Sequence, residues 1–419
     1  MSVRGTTAGW GTGALEEGAR ADFGRMRAER RKAVFAAMAA DDLDALVLGR
    51  EAHARYASGA RRLWTEGPRP FGPGCIAVAK TGAVHLLSTW DDGIPPEVGH
   101  DQLFGITWNG GNLFANLTAI EGLGEARRLG VDGMSPGMGQ LLAALAPSAE
   151  VVDATRLLSD VMAVKTFDEL ACIRTSVLVA EAGLDHALAG LVPGTTGRVL
   201  AGRAAERLAE LGVTTPDFEA LFRSTSPVGG PARRGRRGEG PVAAVEGGVP
   251  QLPTKDAFNS GTLVTCQVGG LYSGYGGPVT RTWLCPSGDG RPAEPTAGQL
   301  RLREHTRHLV GRLAEVLRPG RAAGDVLGAY RAAGETPPPG LLLAHGVGLG
   351  LQPPLVGAGL PDDAGAATTL APGMVLFVTA CVTDPEVGAD LVGDTVLITD
   401  DGHELLSHHD HGPLGPALP

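Results

Sequence analysis

Residues 261–283 read GTLVTCQVGGLYSGYGGPVTRTW. Two runs of apolar and β-branched residues flank a centre rich in glycine and tyrosine, and this pattern predicts strands within residues 262–285. The same half of the chain predicts helices on both sides of this pair and further strands towards the carboxy terminus. The helices are predicted at 167–189, 197–211 and 297–317.

The amino-terminal half is organised differently. Apolar residues recur at helical spacing from Asp22 to Ala40, and the apolar run Asp44–Gly49 that follows predicts a buried strand. Further elements continue the alternation of an α/β domain: strands at 75–79, 83–87, 128–131 and 150–153, and a helix at 113–129. The chain is thus predicted to comprise a flexible leader at 1–21, an α/β domain at 22–160, a second domain at 161–407 and a flexible tail at 408–419.

Composition and charge argue against several classes of protein. The net charge of −10 disfavours a nucleic-acid binder, and the basic run Arg233–Arg237 is interpreted as a solvated loop. No apolar run approaches the roughly 18 residues that a membrane span needs, and the first residues lack the features of a signal peptide. The 5 cysteines are widely spaced, which argues against a disulfide framework. We therefore expect a cytoplasmic protein that binds neither nucleic acid nor membranes.

The strand pair in residues 261–283 resembles the pita-bread family, which contains aminopeptidase P, prolidase, methionine aminopeptidase and creatinase. The consensus sequence of that family at this strand pair is close to G-D-L-V-x-I-D-x-G-x-x-x-x-G-Y-x-S-D-I-T-R-T. Gly269, Gly274, Tyr275 and the run Thr280–Thr282 match it. The two aspartates of the frame, however, are absent from this chain.

Two shorter phrases resemble the same family. Arg55–Gly59 resembles the R-Y-L-S-G phrase of its amino-terminal domain, and Ala163–Arg174 resembles the start of its catalytic domain. Thr166 and Glu169 within the second phrase also predict a capping box. The resemblance implies a creatinase-like α/β amino-terminal domain followed by an α+β pita-bread domain, and it implies a homodimer.

The resemblance implies five metal-ligand positions, and four of them have lost their ligand. Peptidases of the family bind two divalent ions through carboxylates and one imidazole. The five positions hold Gln267, Pro278, His345, Thr379 and Gly393 in this chain. Amides and hydroxyls replace carboxylate oxygens poorly for hard divalent ions, so we expect no metal, no other cofactor and no dinuclear metallopeptidase activity.

Creatinase is the family's precedent for catalysis without metal, but its machinery is missing as well. Its catalytic histidine corresponds loosely to Gln251, and its glutamates correspond to Pro353 and Thr379. A further family histidine that contacts substrate corresponds to Gln352. The resemblance therefore predicts the fold of the family. It also excludes both the dinuclear metal mechanism and the metal-free mechanism of creatinase.

The remaining polar side chains predict a neutral, hydrogen-bonding cavity. His345 is the acid–base candidate because its ordinary pKa lies near neutrality, although a structural imidazole is the open alternative. The substrate-binding candidates are Gln251, Gln267, Gln352, Thr379, Cys381, Arg61 and Arg62. Arg61 and Arg62 are also compatible with a solvated loop. Cys266 should point away from the cavity because it alternates with Gln267.

Two functions remain open at this point. The first is a metal-independent biosynthetic enzyme that performs cyclisation, elimination or C–N bond cleavage on a small amino-acid-derived or peptidyl substrate. The second is a catalytically inactive pseudo-peptidase that uses the cleft to bind a peptide or protein partner. A weaker possibility is residual peptidase activity with a rebuilt metal site.

Overall fold

The computed structural model describes residues 20–60, 74–88, 93–105, 107, 109–213, 215–225, 233–234, 241–242, 257–288, 291–338, 340–360 and 365–409. These residues form two compact units, Asp22–Met162 and the chain from Ala163 onward. Within the described ranges no helix combines the length and the apolar character needed to cross a membrane.

The amino-terminal unit is built on a six-stranded mixed sheet. Its strands are β1 (Ala45–Leu48), β2 (Cys75–Val78), β3 (Ala83–Leu87), β4 (Leu103–Phe104), β5 (Arg128–Asp132) and β6 (Glu150–Asp153). Its helices are α1 (Phe23–Ala40), α2 (Glu51–Ser58), α3 (Gly110–Thr118), α4 (Pro136–Leu145) and α5 (Thr155–Ala163). The strand order is β4-β3-β2-β1-β5-β6, with β1 parallel to β5 and antiparallel to β2.

The sequence explains most elements of this unit. All four residues of β1 are buried because the strand lies in the middle of the sheet. The Asp22 carboxylate accepts a hydrogen bond from the Arg25 amide at 2.9 Å and caps the first turn of α1. The predictions of helix 22–40, strand 44–49 and the hairpin of β2 and β3 are thereby confirmed.

The helix predicted at 113–129 is wrong in its second half. The helix α3 ends at Thr118, and the chain passes through turns at 119–125 before β5. Gly122 has a φ of +86°, a left-handed conformation that interrupts a helix. Leu117, Ile120 and Leu123 are all buried, so apolar residues continue at intervals of three across the turn and imitate a helical pattern.

The carboxy-terminal unit holds an eight-stranded antiparallel sheet. Its strands are β7 (Leu221–Ser224), β10 (Leu263–Val268), β11 (Val279–Leu284), β12 (Leu342–Gly348), β13 (Gly350–Gly357), β14 (Val375–Asp384), β15 (Gly388–Ile398) and β16 (His403–Leu405), and the short pair β8 (Arg233–Arg234) and β9 (Pro241–Val242) lies outside it. Its helices are α6 (Phe167–Leu188), α7 (Gly197–Glu210), α8 (Ala297–Val316) and α9 (Asp325–Ala332). The strand order is β13-β12-β14-β15-β11-β10-β7, and β16 pairs with β15.

The predicted capping box starts α6. Thr166 Oγ1 accepts a hydrogen bond from the Glu169 amide at 3.3 Å, and Glu169 Oε2 accepts one from the Thr166 amide at 2.9 Å. The other carboxylate oxygen of Glu169 accepts a hydrogen bond from the Tyr275 hydroxyl at 2.7 Å. Tyr275 belongs to the glycine- and tyrosine-rich centre of the opening stretch, so this centre is tied directly to the start of α6.

The glycines of that centre allow the chain to pass close to α6. A methyl group at position 277 would lie 2.5 Å from the Val177 backbone nitrogen, which leaves room only for glycine. The Ser176 hydroxyl donates a hydrogen bond of 2.5 Å to the Gly270 carbonyl oxygen. The strands β10 and β11 are therefore held against the helix through their connecting segment.

Two histidines of the predicted tail are anchored to the carboxy-terminal unit. Glu181 Oε1 accepts hydrogen bonds from the backbone amides of His408 and His409, the latter at 3.0 Å. The His409 ring packs edge-on against Trp283, with ring centroids 6.3 Å apart. The Glu181 carboxylate of α6 thus binds the backbone of the first two residues of the segment that the sequence predicts to be a flexible tail.

Candidate active site

A cavity of about 610 Å³ opens in the carboxy-terminal unit. Four of the five positions that correspond to metal ligands line it: Gln267, Pro278, His345 and Thr379. They come from β10, the end of the β10–β11 connection, β12 and β14, which the antiparallel sheet brings together. The cavity size falls within the range of roughly 300–1,000 Å³ that is usual for small-molecule sites.

The fifth position, Gly393, has no side chain, and its space is filled. A methyl group at position 393 would lie 3.1 Å from Phe377 Cε2 and 3.0 Å from Thr280 Cβ, and Phe377 Cζ would be closer still. The Phe377 ring also packs against the His345 ring, with centroids 5.5 Å apart and planes tilted by 46°. An aromatic ring thus occupies the place where the family frame directs a carboxylate.

The donors at this site do not fit a pair of divalent ions. Hard cations require several anionic oxygens, whereas the five positions offer one amide, one imidazole, one hydroxyl and two residues without a donor side chain. Among the described residues, no group of three or more His, Cys, Asp or Glu side chains could hold a metal ion. The donors at the five positions are suited to hydrogen bonding.

His345 is held as a neutral imidazole by its surroundings. Burial lowers the pKa of His345 below its ordinary value of 6.5, against a smaller opposing effect of its bond to Gly346. Its Nδ1 lies 3.1 Å from the Gly346 carbonyl oxygen. Because a carbonyl can only accept, Nδ1 carries the hydrogen, and Nε2 is left with a lone pair. That lone pair can accept a proton from a molecule in the cavity.

Gln267 and Thr280 form a cross-strand pair in the cavity wall. They are direct partners in the register of β10 and β11, and both line the cavity. The Thr280 hydroxyl is buried and has no hydrogen-bond partner among the described residues. Because the hydroxyl oxygen has almost no accessible surface, it lies within the cavity wall and is not exposed to a molecule in the cavity. Thr379 lines the cavity from β14 and is 4% exposed.

Gln352 lies behind the cavity wall instead of within it. Its side chain accepts a hydrogen bond from Lys165 Nζ at 2.9 Å. A methyl group at position 348 would lie 2.6 Å from Gln352 Nε2, and Gly348 is the residue that lines the cavity here. Gln352 is therefore not among the residues that line the cavity, although the sequence predicted it as a substrate-binding residue.

Cys381 and Cys266 do not line the cavity. Cys381 is fully buried in a small apolar cluster with Ala389 and Leu391, and burial raises the pKa of its thiol. Cys266 is fully buried as well and does not line the cavity, as strand alternation predicted. Gln251, Arg61 and Arg62 lie outside the described residues.

Asp217 is a cavity residue that the sequence reasoning missed. It precedes β7, and burial raises the pKa of its carboxyl group to about 6. Its backbone amide donates to the Gly269 carbonyl at 3.2 Å, and Pro216 forms a bridge with Gly270. These contacts are made between distant parts of the chain, so no local pattern at Pro216-Asp217-Phe218 could have indicated that this carboxyl group faces the cavity.

Lys165 supports the cavity wall and makes the stability of the fold depend on pH. Its ammonium group donates hydrogen bonds to the Ala163 carbonyl at 3.0 Å and to Gln352. Burial lowers the pKa of Lys165 to about 8, partly offset by the Glu169 carboxylate. Below pH 8 the folded state therefore holds a buried charge at a cost in free energy.

Between pH 8 and pH 10.5 we expect the free energy of unfolding to rise by roughly 3 kcal/mol on account of Lys165. In this window the unfolded chain binds a proton that the folded chain has lost, so raising the pH favours folding. Urea denaturation of wild type and Lys165→Met at pH 7.5 and pH 10 measures the difference. Lys32→Met, which alters an exposed lysine of α1, should show the same pH dependence of the free energy of unfolding as wild type. The prediction is contradicted if Lys165→Met also shows the wild-type pH dependence.

The sequence matches two family models. Residues 171–400 match metallopeptidase family M24, and residues 30–162 match the creatinase/prolidase N-terminal domain. An uncharacterized peptidase of Bacillus subtilis is 23% identical over 321 residues, which cover 73% of this chain and 80% of that protein. A Xaa-Pro dipeptidase of Pyrococcus furiosus is 24% identical over 256 residues, which cover 60% of this chain and 65% of that protein.

Solved structures share the fold over most of the chain. The prolidase of Pyrococcus horikoshii has a TM-score of 0.69 and 19% identity, covering 91% of this chain and 99% of its own. A Xaa-Pro dipeptidase of Bacillus anthracis has a TM-score of 0.71 and 16% identity, covering 93% and 100%. The predicted pita-bread fold with a creatinase-like amino-terminal domain is thereby confirmed. Because the M24 model matches more than half of the sequence, the chain belongs to metallopeptidase family M24.

Proposed function

We propose that this protein is a metal-independent enzyme of biosynthesis that performs proton-transfer chemistry on a small amino-acid-derived or peptidyl substrate. Cyclisation, elimination and C–N bond cleavage are reactions of this kind. The observation that carries the proposal is the neutral His345, whose Nε2 makes no hydrogen bond to another described residue and whose ring lines a cavity of ligand size. The homodimer and the cytoplasmic location remain predictions from the sequence.

His345 would act as the general base. Its Nε2 accepts the proton that leaves the substrate, while the Nδ1 hydrogen bond to the Gly346 carbonyl keeps the ring in one tautomer and orientation. The imidazolium formed in this step is poorly solvated because His345 is largely buried. It is therefore ready to return the proton to a leaving group or a rearranged intermediate.

The cavity also offers neutral donors for negative charge that develops on the substrate. The Gln267 amide on β10 is one such donor, since Gln267 lines the cavity. Donors fixed in place before the reaction stabilise a developing oxyanion more than mobile water does. Thr379 on β14 provides a hydroxyl within the same lining. This set suits a carbonyl or amide group of a substrate.

The substitution His345→Asn tests the proposal, because an asparagine amide can still donate to the Gly346 carbonyl while it removes the base. We expect a loss of turnover of about 10²–10⁴-fold, measured by mass spectrometry with a library of dipeptides and amino-acid amides. Wild-type turnover should survive treatment with a chelator. It should also fall as the pH drops through the pKa of His345, below 6.5, because the base becomes protonated.

His308→Asn provides the matched control, since His308 is an exposed histidine on α8. Equal turnover in wild type and His345→Asn would refute the assignment of the base. A library member that binds in the cavity but remains chemically unchanged would favour the alternative, a pseudo-peptidase that binds a peptide or protein partner. Turnover abolished by the chelator and restored by a divalent metal would instead show a rebuilt peptidase site.

A further inference from the structure

The ionisable side chains of the described residues that line the cavity include carboxylates but no lysine or arginine to balance their negative charge. Among the described residues that line it, the ionisable side chains are Asp217, Glu219 and His345, and none is lysine or arginine. His345 is neutral near pH 7, as its lowered pKa requires. The cavity therefore presents carboxylates without a cation from its own lining.

The Asp217 carboxyl group is fixed against the cavity wall. A methyl group at position 276 would lie 3.0 Å from Asp217 Cγ and 3.3 Å from its Oδ1, with Oδ2 closer still, so the carboxyl group packs directly on Gly276. The Phe218 ring packs in the same way on Gly269, 2.7 Å from a methyl group placed there. The Leu271 amide donates to the Thr215 carbonyl at 2.9 Å and extends this backbone pairing. The position of the carboxyl group is thus set by the fold.

Nothing among the described residues pairs with the Asp217 side chain: it forms no hydrogen bond or ion pair with them. A carboxylate removed from water is costly unless a cation or several donors compensate it, and the raised pKa of Asp217 reflects that cost. The Asp217 carboxyl group is therefore left for a molecule bound in the cavity.

We propose that Asp217 is the recognition site for a cationic amine on the ligand of this cavity. Its carboxylate binds the ammonium group, and the apolar wall that includes Phe218, Leu341 and Leu351 receives the hydrocarbon part of the molecule. The ligand class is accordingly a compound with a protonated amine and an apolar body. The inference rests on the proposed function in taking this cavity as the place where the substrate binds.

Binding of matched probes tests this inference without any reaction. The probes are leucinamide and phenethylamine, each compared with its N-acetyl derivative, which has the same body but no charge. Calorimetry at pH 7 should show that wild type prefers each amine by about tenfold or more, as a charge-assisted hydrogen bond provides. Asp217→Asn should bind amine and acetyl derivative equally, and its melting temperature should not fall, because a partly buried charge without a partner among the described residues is removed.

Glu219→Gln is the matched control, since Glu219 lines the cavity but is exposed. This variant should keep most of the preference for amines. The inference is overturned if wild type shows no preference or binds none of the four probes at millimolar concentration, or if Asp217→Asn keeps the preference. A preference that depends on Asp217 in a protein whose turnover does not depend on His345 would refute the proposed reaction and leave the recognition site standing.

Discussion

Gly393→Ala should destabilise the protein by about 2–3 kcal/mol, although it adds a single methyl group to a β-strand. The cause is the Phe377 ring, which fills the space above Gly393, with Thr280 on the other side. Both neighbours lie in a sheet whose residues 388–398 are buried throughout, so the backbone has little room to yield. Urea denaturation followed by circular dichroism measures the loss.

The control for this substitution is Gly311→Ala, at an exposed position of α8 where a methyl group would meet nothing within 4 Å. That variant should be unchanged or slightly more stable because alanine favours helix. Phe377→Leu should cost stability by itself but should relieve Gly393→Ala in the double variant. If the two effects are simply additive, the ring does not exclude a side chain at position 393.

This pair of positions matters for function because the resemblance to the family implies a metal ligand at position 393. The family frame directs a carboxylate to that position, whereas here the Phe377 ring fills the corresponding space and packs against His345. The wall of the cavity at this position is therefore an aromatic ring that leaves no room for a carboxylate side chain.

The strand pair of the opening stretch predicted the fold correctly because the backbone of this fold allows only certain residue types at several of its positions. Gly277 must be glycine where the chain passes α6, and Tyr275 reaches the capping carboxylate of Glu169. Such positions can be recognised in a sequence because the required residue types recur at fixed spacing. The helix predicted at 113–129 failed for the opposite reason, since apolar spacing alone does not reveal the left-handed turn at Gly122.

The residues that line the cavity were only partly predictable from the sequence. The reasons are a shift in strand register and tertiary contacts between distant parts of the chain. Alternation along β10 correctly separated Gln267 from Cys266. In the hairpin of β12 and β13, however, the register shifts between His345 and Gly346, and Gln352 pairs with Gly346. A shift of this kind changes which side chains share a face, so Gln352 lies behind the wall. Asp217 reaches the cavity through contacts that no local sequence pattern records.

Arg281→Met should destabilise the protein by about 3–5 kcal/mol, the effect expected when one partner of a buried ion pair is removed. The Arg281 guanidinium donates hydrogen bonds to Asp394 Oδ1 at 2.8 Å, to the carbonyls of Thr280 and Gly393, and to the His409 carbonyl. These bonds join β11, β15 and the segment after β16. Thermal and urea unfolding should both show the loss.

Two variants separate this role from a general effect of charge removal. Arg312→Met breaks an exposed ion pair with Glu315 on α8 and should cost less than about 1 kcal/mol. Arg281→Met combined with Asp394→Leu should recover part of the lost stability, because the buried carboxylate is then removed along with its partner. A small effect of Arg281→Met alone would contradict the argument. The expected result assigns Arg281 and Asp394 a structural role: they hold β11, β15 and the segment after β16 together, and this role does not depend on the chemistry of the cavity.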